Sequence, residues 1–211
     1  MVAHKEEYWS KFASTFDEDQ EYVVGKRVLQ EIIAELYEER DLGEVIEFGC
    51  GVGYFTKAIA RNARHVTATD LSDEMLGMAR IELHEFRNIT VQKADCEDTY
   101  FPSGRFDSVF MANLIHVVEN PLKVLQESHQ ILRNGGLLLA VDFTCYSMNW
   151  FEKVKLAIRY FKRWGMPPRY GRNKLSPDEL VSFVENVDFE VEEVRLLGDN
   201  IKALYLRGRK E

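Results

Sequence analysis

Short apolar runs alternate with helix-like segments through the middle of the chain. The runs predict strands over 44–48, 65–70, 89–94, 106–112 and 137–141, and the intervening patterns predict helices over 54–62, 72–82 and 121–132. Strands that alternate with helices of this length are typical of right-handed βαβ units in an open α/β sheet. The run 137–141 is almost wholly apolar, which favours a strand buried on both faces of that sheet.

The last third of the chain has a different pattern. Residues 149–163 predict a helix, and Ser176-Pro177-Asp178-Glu179 is a typical helix start, with a serine cap and proline at the first position. Residues 189–197 and 201–207 predict two strands, and the three-residue link between them suits an antiparallel hairpin. We therefore expect a mostly parallel sheet with one reversed strand near its end.

The first 40 residues combine an aromatic stretch with an amphipathic helix. The helix is predicted over 26–40, with apolar side chains on one face. The aromatic residues before it stand on an otherwise acidic segment: Tyr8, Trp9, Phe12, Phe16 and Tyr22.

Composition and charge limit the class of protein. The 211 residues are 45% hydrophobic and 29% charged, which fits one folded domain. The net charge of −8 argues against a general nucleic-acid binder. No apolar run is long enough to span a membrane, and no secretory leader is evident, so the simplest location is the cytoplasm. The three cysteines have no C-x-x-C spacing, and each is expected to be small, buried and structural.

A glycine-rich turn follows the first predicted strand. Residues 45–56 place an acidic residue, Glu47, before glycines at alternate positions (Gly49, Gly51 and Gly53) and then a helix. Glycines permit a tight turn and a close approach of the backbone to a ligand. Such turns at the carboxyl ends of parallel strands commonly line a nucleotide-binding crevice.

Acidic and amide side chains also end the next three strands. Asp70, Asp95 and Asn113 follow strands two, three and four, so they are expected along one rim with Glu47. A dinucleotide such as NAD is disfavoured, because its Gly-x-Gly-x-x-Gly pattern would require glycine at Tyr54.

Several segments together resemble the class I S-adenosylmethionine-dependent methyltransferases, particularly the ubiquinone/menaquinone-type group that methylates small molecules. They are Glu47-x-Gly49-x-Gly51-x-Gly53, Asp70-Leu71-Ser72-x-x-Met75-Leu76, Ala94-Asp95-Cys96-Glu97, Phe106-Asp107-Ser108-Val109, the run 113–121, and Leu132-Arg133-Asn134-Gly135-Gly136. The resemblance covers about residues 40–145. It implies a Rossmann-like, mostly parallel seven-stranded sheet with helices on both faces and a C-terminal antiparallel hairpin.

The resemblance also implies cofactor-binding roles for S-adenosylmethionine. Glu47 and the turn Gly49-Cys50-Gly51-x-Gly53, with Asn113, would lie near its methionine part. Asp70 would accept hydrogen bonds from both ribose hydroxyls. The adenine would be held by Leu71, Met75, Asp95 and the backbone N–H of Cys96.

Two residues are candidates for catalysis. His116 could act as a general base, because histidine titrates near neutral pH, or it could support the loop after strand four. Asp142, after strand five, could orient an acceptor or cap the following segment. The histidines and carboxylates have no metal-ligand spacing, so no metal is expected.

The acceptor pocket is expected between two aromatic segments outside the core motifs. We predict substrate contacts from Phe16, Tyr22, Tyr146, Trp150 and Tyr170, on covers that are mobile without ligand. A basic, aromatic run over 159–174 is either a solvated helix face or part of this cover.

The predicted organisation is one methyltransferase domain over 1–211. It comprises a helical lid segment (1–40), a cofactor-binding core (41–145), a helical cover (146–175) and a C-terminal helix and hairpin (176–211). The predicted activity is methyl transfer to a small-molecule acceptor by a monomer or homodimer. RNA or protein methylation and non-catalytic cofactor binding stay open as alternatives, and the sequence names no acceptor atom.

Overall fold

The computed structural model describes residues 3–167 and 175–211, with side chains from Glu7 onward. Its helices are α1 (Ala3–Ser10), α2 (Phe16–Val24), α3 (Lys26–Glu38), α4 (Thr56–Ile59), α5 (Asp73–Glu82), α6 (Pro121–Ile131), α7 (Trp150–Trp164) and α8 (Pro177–Glu185). Its strands are β1 (Gly43–Phe48), β2 (Ala63–Asp70), β3 (Ile89–Lys93), β4 (Phe106–Ala112), β5 (Leu132–Thr144), β6 (Phe189–Leu197) and β7 (Lys202–Lys210).

The strands form one seven-stranded sheet in the order β3-β2-β1-β4-β5-β7-β6. The pairs from β3 to β5 are parallel, whereas β7 is antiparallel to both β5 and β6. The predicted mostly parallel sheet with one reversed strand near its end is therefore confirmed.

Helices cover both faces of the sheet because successive apolar side chains of the central strands point alternately to one face and to the other. In β5, Leu137 and Leu139 pack in one core with α3, α4 and α5. Leu138 and Ala140 pack in the other core with α6 and α8. This alternation explains why the β5 sequence is apolar at successive positions.

Helix ends follow the capping chemistry expected from the sequence. Ser72 caps α5, its hydroxyl accepting the N–H of Met75, and the predicted capping box of Ser176 and Glu179 opens α8. Asn120 and Asn149 cap α6 and α7 in the same manner. These caps satisfy N–H groups that have no partner within the helix.

Two predicted boundaries are wrong. Strand β5 begins at Leu132, directly after α6, so the glycine pair expected to separate helix from strand lies inside the strand. Gly135 has a φ of +71°, and the register with β4 shifts between Phe106 and Ser108, which is typical of a bulge. Helix α4 covers only Thr56–Ile59 instead of 54–62, because the glycine turn extends to Phe55 and β2 begins at Ala63.

Candidate functional site

The site lies where the strand order reverses. Strands β1 and β4 are neighbours, but the chain proceeds from β1 towards β2 and β3 on one side and from β4 towards β5 on the other. The connections after β1 and β4 therefore diverge and leave a crevice at their carboxyl ends.

The turn after β1 depends on glycine backbone conformations. Gly49 and Gly51 have φ values of +67° and +56°, in the left-handed region. A Cβ on Gly49 would also come within 2.9 Å of the Leu114 side chain. The turn is tied to β2, since the N–H of Cys50 donates to the carbonyl of Thr69 at 2.9 Å.

Asp70 holds this turn against the start of α5. Its Oδ2 accepts the N–H of Gly51 at 3.0 Å, and its Oδ1 accepts the N–H of Ser72 at 2.9 Å. An ionised carboxylate has about four acceptor positions, so Asp70 has the capacity to bind ligand hydroxyls as well.

Glu47 is a buried acid beside this turn, with 2% of its surface exposed. Burial raises the pKa of its carboxyl to about 8, and the charge of Asp70 reinforces this effect. Neither Oε2 of Glu47 nor Oγ1 of Thr56 has a hydrogen-bond partner within the described residues. A buried carboxylate oxygen without a partner suits a cationic ligand group, which would satisfy it and restore its charge.

The ends of β2 and β3 contribute one side of the cavity. Leu71 and the buried Met75 line it after β2, and Asp95 and Cys96 line it after β3. Oδ1 of Asp95 accepts the N–H of Glu97 at 2.9 Å, which fixes the carboxylate on its loop.

Asn113 joins the ends of β4 and β5. Its φ is +57°, its N–H donates to the carbonyl of Val141 at 2.7 Å, and its Oδ1 accepts the N–H of Phe143 at 3.3 Å. Asparagine tolerates this left-handed conformation better than most residues. The side chain therefore has a structural function, and it also lines the cavity.

His116 and Asp142 form a hydrogen-bonded pair at the same edge. Asp142 is 1% exposed, and its carboxylate contacts Nδ1 of His116 and accepts the His116 backbone N–H at 3.2 Å. Burial alone would lower the pKa of His116, but the charge and hydrogen bond of Asp142 raise the pKa above its ordinary value. His116 lines the cavity, whereas Asp142 lies buried behind it.

The cavity has a volume of about 350 Å³ and is covered by α1, α2 and α7. The ring of Phe16 stacks on that of Trp164, with centroids 5.9 Å apart. The Tyr8 hydroxyl lies 3.1 Å from the Tyr160 hydroxyl and donates to the carbonyl of Trp164 at 3.0 Å. The two aromatic segments predicted to cover the acceptor thus contact each other above the site.

Most of the predicted site residues line this one cavity: Phe16, Glu47, Gly49, Cys50, Gly51, Asp70, Leu71, Met75, Asp95, Cys96, Asn113 and His116. Gly53 belongs to the same turn but lies against Leu83.

The other predicted substrate contacts lie elsewhere. Tyr22, Tyr146 and Trp150 are exposed and are not among the residues that line the cavity. Tyr170 lies outside the described residues, as do the basic residues predicted at 169, 172 and 174.

Three polar groups in or near the cavity are not among the predicted site residues. The buried Gln20 has an Nε2 without a partner in the described chain, and the indole N–H of the buried Trp164 likewise has none. Gln20 follows Phe16 by four residues on α2, a spacing that could have placed both on one face. No helical spacing of this kind marks Thr56, which lies near Glu47 at the start of α4, just after the glycine turn.

The cysteine prediction is wrong for Cys145. Cys50 is buried and Cys96 is partly buried, but Cys145 is exposed because it follows the last residue of β5, where the chain leaves the sheet. Among the described side chains, no three histidines, cysteines or carboxylates are grouped to hold a metal ion. None of the described helices is long and apolar enough to cross a bilayer.

Comparison with known families finds a match to the central part of the chain. A family described as "Methyltransferase domain" matches residues 46–140, which include the glycine turn and the carboxyl ends of β1 to β4. The chain carries a methyltransferase domain. This domain contains Glu47, Asp70, Asp95, Asn113 and His116.

Several curated relatives of the methyltransferase domain have names that refer to quinone methylation. The chain is 34% identical over 101 residues to a demethylmenaquinone methyltransferase of Tropheryma whipplei, covering 48% of this chain and 42% of that protein. It is 27% identical over 152 residues to a ubiquinone/menaquinone biosynthesis C-methyltransferase of Citrifermentans bemidjiense, covering 67% and 64%. The chain thus spans less than two thirds of the length of these relatives.

Solved structures match the methyltransferase domain and the flanking helices in fold. An S-adenosylmethionine-dependent methyltransferase of Thermotoga maritima matches with a TM-score of 0.72 and 21% identity, over 97% of this chain and 100% of that one. One from Aquifex aeolicus matches with a TM-score of 0.69 and 18% identity, over 94% and 97%.

Proposed function

We propose that this chain transfers a methyl group from S-adenosylmethionine to a small-molecule acceptor in the cavity beneath α2 and α7. The observation that carries the proposal is the presence of two acids at the ends of neighbouring strands: Asp70, and the buried Glu47, whose Oε2 has no hydrogen-bond partner among the described residues. One acid suits a ligand ammonium group and the other suits ligand hydroxyls. S-adenosylmethionine presents both kinds of group.

The residues present fit that cofactor. Glu47 would bind its ammonium group, and Asp70 would accept from its ribose hydroxyls while still holding Gly51 and Ser72. Asp95 would accept from the adenine amino group, with Leu71 and Met75 packing against the ring. Cys50, Cys96 and Asn113 complete the proposed cofactor-binding set with the turn glycines Gly49 and Gly53.

The chemical work of the protein is alignment, exclusion of water and proton removal. The cofactor supplies a methyl group on a sulfonium, which is an activated leaving group. The aromatic cover of Phe16, Tyr160 and Trp164 excludes water from the cavity, and the surrounding residues align the acceptor for in-line attack. His116, oriented by Asp142, accepts a proton where the acceptor must lose one.

A small-molecule acceptor is favoured by the cavity itself. Its volume is within the range of small-molecule sites, and aromatic side chains from the cover line it. The relatives named for quinone biosynthesis support an aromatic acceptor, and Phe16 remains the best-placed of the predicted contacts. RNA or protein methylation stays the alternative, and the cytoplasmic location and the monomer or homodimer remain predictions.

Calorimetry and a labelled-methyl screen test the proposal. S-adenosylmethionine and S-adenosylhomocysteine should bind with micromolar dissociation constants, about −8 kcal/mol, and NAD should not bind. The screen should then find methyl transfer to small aromatic acceptors and none to bulk RNA or protein. Tight NAD binding without binding of either sulfur compound would refute the cofactor assignment. Cofactor binding without transfer to any acceptor would favour a non-catalytic binding protein.

A further inference from the structure

Helix α7 presents a second apolar face, away from the cavity. Trp150 and Phe151 are 69% and 70% exposed, and Phe161 is 59% exposed. Val154 and Ile158 are also exposed and continue the stripe at helical spacing. Proteins rarely leave so many large apolar side chains together on one surface unless it binds something.

The opposite face of the same helix is already used. Leu156, Tyr160 and Trp164 recur every four residues and line the cavity. The outer stripe is therefore not required for the fold of the cavity cover, and its exposure needs a separate explanation.

The charges of α7 distinguish it from the rest of the protein. The helix has five basic residues and one acidic residue, whereas the whole chain has a net charge of −8. Lys155 and Lys162 follow Val154 and Phe161 by one position, so they lie along one edge of the apolar stripe two helical turns apart. Lys155 is 62% exposed and Lys162 is exposed as well.

We propose that α7 is an interfacial membrane helix, which lies flat on an anionic lipid surface with its Trp150–Phe161 stripe inserted. A basic edge beside an aromatic and aliphatic stripe is the composition of such helices. At 15 residues the helix is about 22 Å long, which suits a position in the interface plane. The proposal concerns binding and holds whether or not the proposed methyl transfer is correct.

A second copy of the chain fits this face less well than lipid does. A symmetric dimer through the stripe would bring the same surface of both subunits together. The two basic helices would then repel each other, whereas anionic headgroups would attract Lys155 and Lys162.

Vesicle binding tests the proposal. The full chain should co-sediment with vesicles of phosphatidylcholine and phosphatidylglycerol, more weakly with phosphatidylcholine alone, and more weakly again at high salt. Phe151→Ser with Phe161→Ser should weaken partitioning roughly tenfold for each ring removed. Lys155→Gln and Lys162→Gln should each weaken it roughly fivefold on the anionic vesicles only.

Matched controls keep the result specific to α7. Ile81→Ser removes an equally exposed apolar side chain from α5 and should not change partitioning. Circular dichroism and S-adenosylhomocysteine binding should be unchanged in the Phe151 and Phe161 variants, because both side chains are exposed and lie outside the cavity lining.

Tryptophan fluorescence supplies an independent readout. Trp150 is exposed, while Trp9 and Trp164 are at least partly buried. Vesicle addition should shift the emission to shorter wavelength, and Trp150→Phe should abolish the shift while keeping the binding.

Two outcomes would overturn the proposal. One is absence of vesicle binding, or binding that the Phe151 and Phe161 changes leave intact. The other is a dimer in analytical ultracentrifugation that these changes dissociate, which would assign the stripe to a second copy of the chain.

Discussion

The buried carboxylate of Asp142 contacts both the backbone N–H and the ring Nδ1 of His116. A carboxylate only accepts hydrogen bonds, so Nδ1 carries a proton and Nε2 of the neutral ring is the basic nitrogen. The pair thus fixes which nitrogen of His116 can take a proton from a substrate.

The pH dependence of turnover tests this role. Because Asp142 raises the pKa of His116, methyl transfer should increase with pH through that raised value as the ring becomes neutral. Asp142→Asn should move this acid limb to lower pH, since the neutral amide no longer stabilises the imidazolium. His116→Gln should lower kcat by about 10²–10⁴-fold and remove the limb.

A purely structural role predicts a different pattern. If His116 only supports the loop after β4, both variants will lose stability in urea titrations while the acid limb stays where it is in the wild type.

Glu47 should cost stability in the absence of ligand. The folded protein holds its proton up to about pH 8, well above the ordinary value of 4.5. Between those values the folded state binds more protons than the unfolded state, so this acid lowers the free energy of unfolding progressively as pH rises. The amide in Glu47→Gln does not titrate. The free energy of unfolding of this variant, relative to that of the wild type, should therefore increase from pH 5 to pH 8.

The same substitution should weaken cofactor binding. It removes a charge that the ammonium group would use, a loss of about 1.5–3 kcal/mol. Urea titration of the apo protein and calorimetry with S-adenosylhomocysteine measure the two effects. A stability difference that does not change with pH would show that Glu47 is ionised in the apo protein.

Asp70→Ala should reduce cofactor affinity by roughly 1.5–3 kcal/mol, because two ribose hydroxyls would lose their acceptor. The backbone N–H groups of Gly51 and Ser72 also donate to this carboxylate. The substitution should therefore lower the free energy of unfolding by about 1 kcal/mol for each of these two hydrogen bonds. Asp73→Ala is the matched control, as it removes an exposed acid three residues along the chain that pairs with Lys93. An unchanged dissociation constant for Asp70→Ala would place the ribose elsewhere.

The sequence predicted the core of the site because its signals are local. The glycine turn and the acids at strand ends each follow a strand directly, and parallel strands bring their carboxyl ends to one edge. The cover could not be predicted in the same way. Trp164 meets Phe16 only through tertiary packing. Both faces of α7 are apolar, so the sequence does not show that Trp150 lies on the exposed face, away from the cavity.

Boundaries failed where tertiary pairing overrode local propensity. Gly135 and Gly136 are typical of a break between elements, yet β5 pairs with β4 both before them, at Leu132, and after them, from Leu137 onward. The bulge accommodates Gly135 without ending the strand.

The cover should become more protected when the cofactor site is filled. Helices α2 and α7 are joined above the cavity by the Phe16–Trp164 stack and by the ion pair of Arg163 with Asp19 at 3.2 Å. The hydroxyl of Tyr8 joins α1 to α7 in the same cover. Polar groups beneath them, at Gln20 and Trp164, have no partner among the described residues, so this region is expected to open without ligand. S-adenosylhomocysteine should therefore slow hydrogen exchange and proteolysis in both α2 and α7.

Tyr8→Phe separates opening of the cover from opening of the core. It removes the hydroxyl that lies between Tyr160 and the Trp164 carbonyl, so exchange in α1 and α7 should accelerate without ligand while β1, β4 and β5 remain protected. Tyr100→Phe removes an exposed hydroxyl that donates to the Lys93 carbonyl, and it should leave the cover unchanged. Equal protection of both segments with and without ligand would show that the cover is a fixed part of the fold. The acceptor would then have to reach Asn113 and His116, with Asp142 behind them, by an open face of the cavity.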